Sequence, residues 1–137
     1  MIGIVIVTHC KLGSALIEAA DFILGVRQEG IKAVSINQIE DADALLKKIA
    51  DSVEEVKSPD GVLILTDMFG GTPSNLSYSL LEEGRIEVIS GVNLPMVIKA
   101  TSGRHEMGIK ELVLALDKYG KRSITVASGI LKGNKRV

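Results

Sequence analysis

Met1-Ile2-Gly3-Ile4-Val5-Ile6-Val7-Thr8-His9-Cys10-Lys11-Leu12-Gly13 is the stretch that decides how this chain folds. From Ile2 to Val7 it is apolar without alternation, apart from Gly3. A strand with one wet face alternates, whereas a strand covered by helices on both faces does not. The run therefore predicts a buried strand of a parallel sheet. It ends on Thr8 and His9, and His9 is one of only two histidines in 137 residues. Helical sequence follows, with Ser14 as N-cap or first residue. Leu16, Ala20, Ile23 and Leu24 fall on one face of a helix reaching about Val26, and Gly25 and Gly30 bracket its exit.

The same alternation of elements continues outward from this unit. Ile31 to Ile36 predicts a second strand. Asp41-Ala42-Asp43 opens a helix with acidic residues in the first turn, where its dipole favours them. Leu45, Ile49, Val53 and Val56 form the buried stripe of that helix. Ser58-Pro59-Asp60-Gly61 is a turn. Val62 to Thr66 predicts a third strand ending at Asp67. Thr72-Pro73 then opens a helix to about Glu82, with Pro73 at a position where a missing N–H costs nothing, burying Leu76, Leu80 and Leu81. Ile86 to Ile89 predicts a fourth strand and Leu94 to about Thr101 a short helix. A further helix starts near His105, burying Ile109, Leu112, Val113 and Leu116. Ser123 to Ala127 predicts a short last strand. This order gives a three-layer α/β/α sandwich with a mostly parallel central sheet, as one domain over residues 1–137. The last strand is expected at an edge, or paired with a neighbouring subunit.

Composition excludes several classes of function. Sixteen basic residues face seventeen acidic ones, for a formal net charge of -1. The only basic cluster is Lys132-Gly133-Asn134-Lys135-Arg136, a solvated tail, so no nucleic-acid partner is expected. A single cysteine, Cys10, excludes an internal disulfide and a cysteine metal cluster, so no metal and no cofactor are expected. The apolar runs are far shorter than a membrane span, and no positive segment precedes the first of them. A cytoplasmic location is the expectation.

In a parallel sheet the carboxyl ends of the strands share one edge, where such folds place their chemistry. His9 and Asp67 both stand at that edge. A neutral imidazole is a nucleophile near pH 7. Attack on phosphorus by one ring nitrogen gives a phosphoramidate reactive enough to pass the group on. The other nitrogen then needs an acceptor that fixes tautomer and ring orientation, and Asp67 is the candidate. Gly70-Gly71-Thr72 offers three consecutive N–H groups in a segment that bends sharply, with hydroxyls from Thr72 and Ser74. Gly13 and Ser14 form a second possible cradle. Thr66 and Asn93 are candidate supporting residues, Asn93 by tying loops together. Lys11 and Arg104 are expected as solvated charges, with phosphate neutralisation or partner docking the sharper alternative. His105 is expected at the surface, and Cys10 as a buried or half-buried bystander. Placement alone serves phosphoryl transfer and acyl hydrolysis alike. A hydrolase needs a water-activating group beyond the His9–Asp67 pair, and none is evident.

Three segments then carry a family likeness: Val7-Thr8-His9, Thr66-Asp67-Met68-Phe69-Gly70-Gly71-Thr72-Pro73-Ser74-Asn75, and Gly91-Val92-Asn93-Leu94-Pro95-Met96. In order and spacing the chain resembles the EIIA domain of the mannose family of the bacterial sugar phosphotransferase system. The resemblance implies a phosphotransferase, a histidine relay that takes a phosphoryl group from HPr and gives it to an EIIB histidine during sugar uptake. It places the phosphorylated histidine at His9, with phosphate on Nε2. It places the orienting carboxylate at Asp67 and the active-site loop at Gly70 to Asn75. It also implies a homodimer in which an antiparallel C-terminal edge strand crosses to the partner, and indirect association with membrane EIIC and EIID. There are two departures. The family usually has glycine where this chain has Cys10, and often Pro-Gly in the loop that here reads Asn37-Gln38-Ile39-Glu40. No linker or EIIB domain follows in this sequence; if it is a complete protein, EIIB is a separate chain. A regulatory or non-catalytic interaction module with the same fold is the competing expectation.

Overall fold

The computed structural model describes residues 1–37 and 39–132. Gln38 of the second departure and residues 133–137 of the basic tail lie outside the described residues. The elements run β1 (Gly3–His9), α1 (Leu12–Leu24), β2 (Ile31–Ile36), α2 (Ala42–Val56), β3 (Val62–Thr66), α3 (Thr72–Tyr78), β4 (Ile86–Ser90), α4 (Leu94–Gly103), α5 (Ile109–Arg122) and α6 (Ala127–Leu131). The sheet order is β2-β1-β3-β4 and every pairing is parallel. No helix among the described residues is long and apolar enough to cross a membrane.

The apolar run that opens the chain is the centre of the molecule. Ile2, Ile4, Ile6, Leu63 and Leu65 point to one side of the sheet, against Val97, Ala100, Leu112 and Leu116 of α4 and α5. Val5, Val7, Val62 and Ile64 point to the other, against Leu45, Ile49 and Val53 of α2. Each such side chain contributes about 1.5–3 kcal/mol by leaving water, so β1 is fixed in the interior from both faces. Gly3 is required there: a Cβ would fall 2.1 Å from the Val56 carbonyl oxygen.

Chain order and sheet order together locate the site. From β1 the chain moves outward to β2, then crosses back to β3 on the other side of β1. The connections therefore diverge between β1 and β3 and leave a crevice at their carboxyl ends, the position open α/β sheets use for ligands. His9 ends β1 and Asp67 follows β3, so both line this crevice.

Several expectations are corrected. α1 begins at Leu12, two residues before Ser14, because its first turn is capped from outside: the Gly13 N–H donates to Thr8 Oγ1 at 2.8 Å. That bond also consumes the Gly13 donor proposed for a second cradle. α3 ends at Tyr78 and not near Glu82. The Ser77 and Ser79 hydroxyls bond back to the Pro73 and Leu76 carbonyls, and i→i+3 bonds tighten the chain into the turn before β4. Leu81 consequently stands 50% exposed. His105 lies in the turn between α4 and α5, and α5 starts at Ile109 behind Gly108.

The antiparallel last strand is not found among the described residues. After α5, residues 124–126 join no sheet and Ala127 begins α6. A strand exists only where a neighbour accepts its hydrogen bonds, and here Ile124 and Val126 remain 78% and 71% exposed. The sheet that is present is wholly parallel.

Arg104 is neither solvated nor near the site. It is 3% exposed, and its guanidinium donates to the Gly30 carbonyl at 3.1 Å and to the Glu29 carbonyl. It pins the entry of β2 to the end of α4. Burial pushes its pKa down from the ordinary value, although arginine stays charged in proteins.

Candidate functional site

The site is built from the ends of β1 and β3 and the loop entering α3. Thr8 is fully buried, and its hydroxyl is spent on Gly13. The next residue is therefore the first free to project from the sheet edge, and it is His9, with its side chain 47% exposed. Cys10 then turns the chain with φ +52°, in the left-handed region, and its N–H donates to the Ile36 carbonyl at 3.0 Å. Glycine adopts that conformation without strain, so Cys10 holds a backbone conformation that residues with a side chain rarely take. Cys10 is exposed, contrary to the expected burial.

Asp67 binds His9 twice through one oxygen. Its Oδ2 accepts the His9 backbone N–H at 2.9 Å and lies 2.8 Å from His9 Nδ1. The Asp67 side chain is 11% exposed. Burial acts to raise its pKa, but the His9 backbone N–H, the ring hydrogen bond and the ring's charge outweigh it and hold the carboxyl below its ordinary value. Asp67 is thus ionised at neutral pH, and the hydrogen shared at 2.8 Å sits on Nδ1. In the neutral ring this leaves Nε2 with its lone pair free.

Gly71 lies against that side of the ring. A Cβ built on it would come 3.0 Å from His9 Cε1 and 3.6 Å from Nε2. Gly70, just before it, has φ +84°, in the region that favours glycine. Among the described residues, the N–H groups of Gly70, Gly71 and Thr72 have no protein acceptor. α3 has only seven residues, so the free donors at this place are those of the loop and not of a long helix. Thr72 is exposed and lines the open cleft beside His9 with Asn37 and Glu40. Ser74 is different. It is fully buried and donates to the Gly71 carbonyl at 3.0 Å, so it braces the loop from behind.

The two supporting residues separate. Thr66 is buried directly before Asp67 and donates to Ser90 Oγ at 2.8 Å, and the Tyr78 hydroxyl meets the same Ser90 oxygen at 2.8 Å. Asn93 caps α4 by accepting from the Met96 N–H at 3.0 Å and donates to the Gly120 carbonyl at 3.1 Å. It ties α4 to the end of α5, as a loop-tying residue does, but not onto His9. Sequence reasoning missed Tyr78 and Ser90. Ser90 carried a faint signal, at the end of β4 in register with Thr66.

Residues 3–116 match the EIIA-man family, described as "PTS system fructose IIA component". This chain belongs to the EIIA-man family. It is 31% identical over 129 residues to the fructose-specific EIIA component of Bacillus subtilis, covering 93% of this chain and 88% of that protein. It is also 31% identical over 125 residues to the mannose-specific EIIAB component of Escherichia coli, covering 90% of this chain but 38% of that longer protein. A phosphotransferase system EIIA structure from Streptococcus agalactiae superposes with a TM-score of 0.83 at 26% identity, over 93% of this chain and 98% of that one. As an EIIA-man protein it is a phosphotransferase of the histidine-relay type, carrying a phosphoryl group between HPr-type and EIIB-type partners in sugar uptake.

Proposed function

We propose that His9 is the residue of this EIIA that carries the phosphoryl group, as one domain over residues 1–137. The observation that carries the proposal is the 2.8 Å contact between His9 Nδ1 and an ionised Asp67, with the ring's other nitrogen open beside Gly71. Nε2 supplies its electron pair to phosphorus while the donor's nitrogen leaves with its own. The Nδ1 hydrogen stays in place, and Asp67 stabilises the positive charge that builds on the ring. The N–H groups of Gly70, Gly71 and Thr72 receive the phosphoryl oxygens, with the Thr72 hydroxyl beside them. Ser74 contributes by fixing Gly71. The reverse step passes the group to EIIB, and a cradle without arginine suits a group that must leave again.

Incubation of the protein with phosphoenolpyruvate, enzyme I and HPr tests this. An acid-labile, alkali-stable phosphate is the expected product, and none while HPr is charged would refute the role. The loop makes its own prediction. Gly71→Ala is conformationally allowed at φ -87°, but its methyl presses on His9 Cε1. Stopped-flow acceptance rates are expected to fall roughly tenfold, the scale of a small misplacement of reacting groups, with the melting temperature nearly unchanged.

We propose further that two copies associate by exchange of residues 123–127, which places EIIC and EIID contacts on a dimer. The outer edge of β4 has no partner among the described residues. Exposed Ile124 and Val126, with Val126 already extended at φ -98° and ψ 116°, supply a matching strand. Sedimentation is expected to give a dimer for the whole chain and a monomer for a chain ending at Arg122. A monomeric whole chain would refute the exchange.

A further inference from the structure

We propose that Tyr78 is a positioning residue for phosphoryl transfer, acting through Ser90 and Thr66 to hold the Asp67 carboxylate on His9 Nδ1. This rests on the assignment of His9 and Asp67 above and extends it to a residue that touches neither.

Asp67 is anchored through one carboxylate oxygen. Its Oδ2 takes both bonds from His9, while its Oδ1 is buried with no hydrogen-bond partner. Among the described residues no other side chain therefore fixes the carboxylate, and its position is inherited from the main chain on either side. Before it, the Thr66 carbonyl accepts the N–H groups of Gly91 at 3.0 Å and Val92 at 2.9 Å. The Thr66 hydroxyl meets Ser90, and Ser90 meets the Tyr78 hydroxyl, each at 2.8 Å. After it, the Phe69 ring packs at a tilt on the Tyr78 ring, with centroids 6.2 Å apart. Tyr78 thus grips the chain on both sides of Asp67, through its hydroxyl before and its ring after.

The same residue reaches the second half of the site. Tyr78 is the last residue of α3, whose entry carries Gly71 against the imidazole. Its bond to Ser90 clamps α3 to the end of β4. One hydroxyl therefore sets the distance between the orienting carboxylate and the phosphoryl loop. Transfer between two proteins demands that both be fixed in advance, because small displacements of reacting groups cost large factors in rate.

Tyr78→Phe removes the hydroxyl and keeps the ring on Phe69. Ser90→Ala removes the middle of the chain, and Ser90→Thr keeps its hydroxyl. Three quantities are read: the acceptance rate from phosphorylated HPr, the His9 tautomer from ring ¹⁵N shifts in the unphosphorylated protein, and the melting temperature. Tyr78→Phe and Ser90→Ala are each expected to slow acceptance roughly tenfold and to move His9 from the Nδ1–H toward the Nε2–H tautomer. The double variant should be no slower than the worse single one, and Ser90→Thr should stay within about twofold of the parent. A parent-like tautomer in folded Tyr78→Phe and Ser90→Ala, whatever their rates, overturns the proposal, since a merely structural loss leaves the ring's proton where it was. If Tyr78→Phe does not fold, Ser90→Ala against Ser90→Thr decides alone. Failure of the parent protein to take phosphate on His9 refutes the underlying assignment instead, and the tautomer comparison still tests the positioning.

Discussion

His9→Ala is expected to remove phosphoryl acceptance, lowering the rate by more than about 10⁴-fold, the scale seen when a covalent nucleophile is deleted. The fold should survive. The His9 side chain is 47% exposed at the end of β1, and the hydrophobic contacts that hold the strand end at Val7. The one structural loss is the ring's bond to Asp67, because the backbone N–H of residue 9 still reaches Oδ2. The melting temperature therefore separates chemistry from stability. Label from phosphorylated HPr should vanish while unfolding changes little. Retained labelling at the parent rate would move the nucleophile elsewhere. His105 is the only other histidine in the sequence, and it stands in the α4–α5 turn, away from the β1 and β3 ends.

Asp67→Ala should slow acceptance by roughly 10²-fold without abolishing it, the usual worth of a group that places a proton and stabilises charge. The nucleophile remains, but Nδ1 loses its acceptor, and the tautomer that frees Nε2 is no longer favoured. The pH dependence carries the same signature. The folded-state pKa of Asp67 is depressed, so its stabilising contribution is present above the unfolded carboxylate range. It is lost as pH falls through the lower folded value. Acid unfolding of the parent should thus include a contribution that Asp67→Ala lacks. The two proteins should converge in stability at the acid end and diverge toward neutral pH. Parallel stability curves across that window would contradict the hydrogen-bonded geometry at Asp67.

Both residues were legible in the sequence for one reason. β1 and β3 are buried on both faces, so their apolar runs are unbroken, and the first polar residues after them mark the sheet edge. What was not legible depended on contacts between segments far apart in the chain. The start of α1 follows from the Thr8 hydroxyl, which caps it in place of Ser14. Ser74 reads as a phosphate donor by its place in the loop, yet packing buries it and turns its hydroxyl onto Gly71. Arg104 reads as a solvated charge, but two carbonyls at the entry of β2 draw it inward. Residues 123–126 read as a strand by their β-branched side chains, yet they join no sheet among the described residues and Ala127 begins α6. A strand needs a neighbour to accept its hydrogen bonds, and side-chain pattern alone does not supply one. Tyr78 and Ser90 escaped notice because a hydroxyl in a helix and a hydroxyl at a strand end acquire meaning only once the register places them against Thr66.

The most direct test is to map the phosphate. The protein is charged with phosphoenolpyruvate, enzyme I and HPr, kept alkaline, and the modified atom is located by ¹H–¹⁵N and ³¹P spectroscopy. One phosphoryl group on Nε2 of His9, absent from His9→Ala, is the expected result. Phosphate on Nδ1 of His9, on His105 or on a loop hydroxyl such as Thr72 would contradict it.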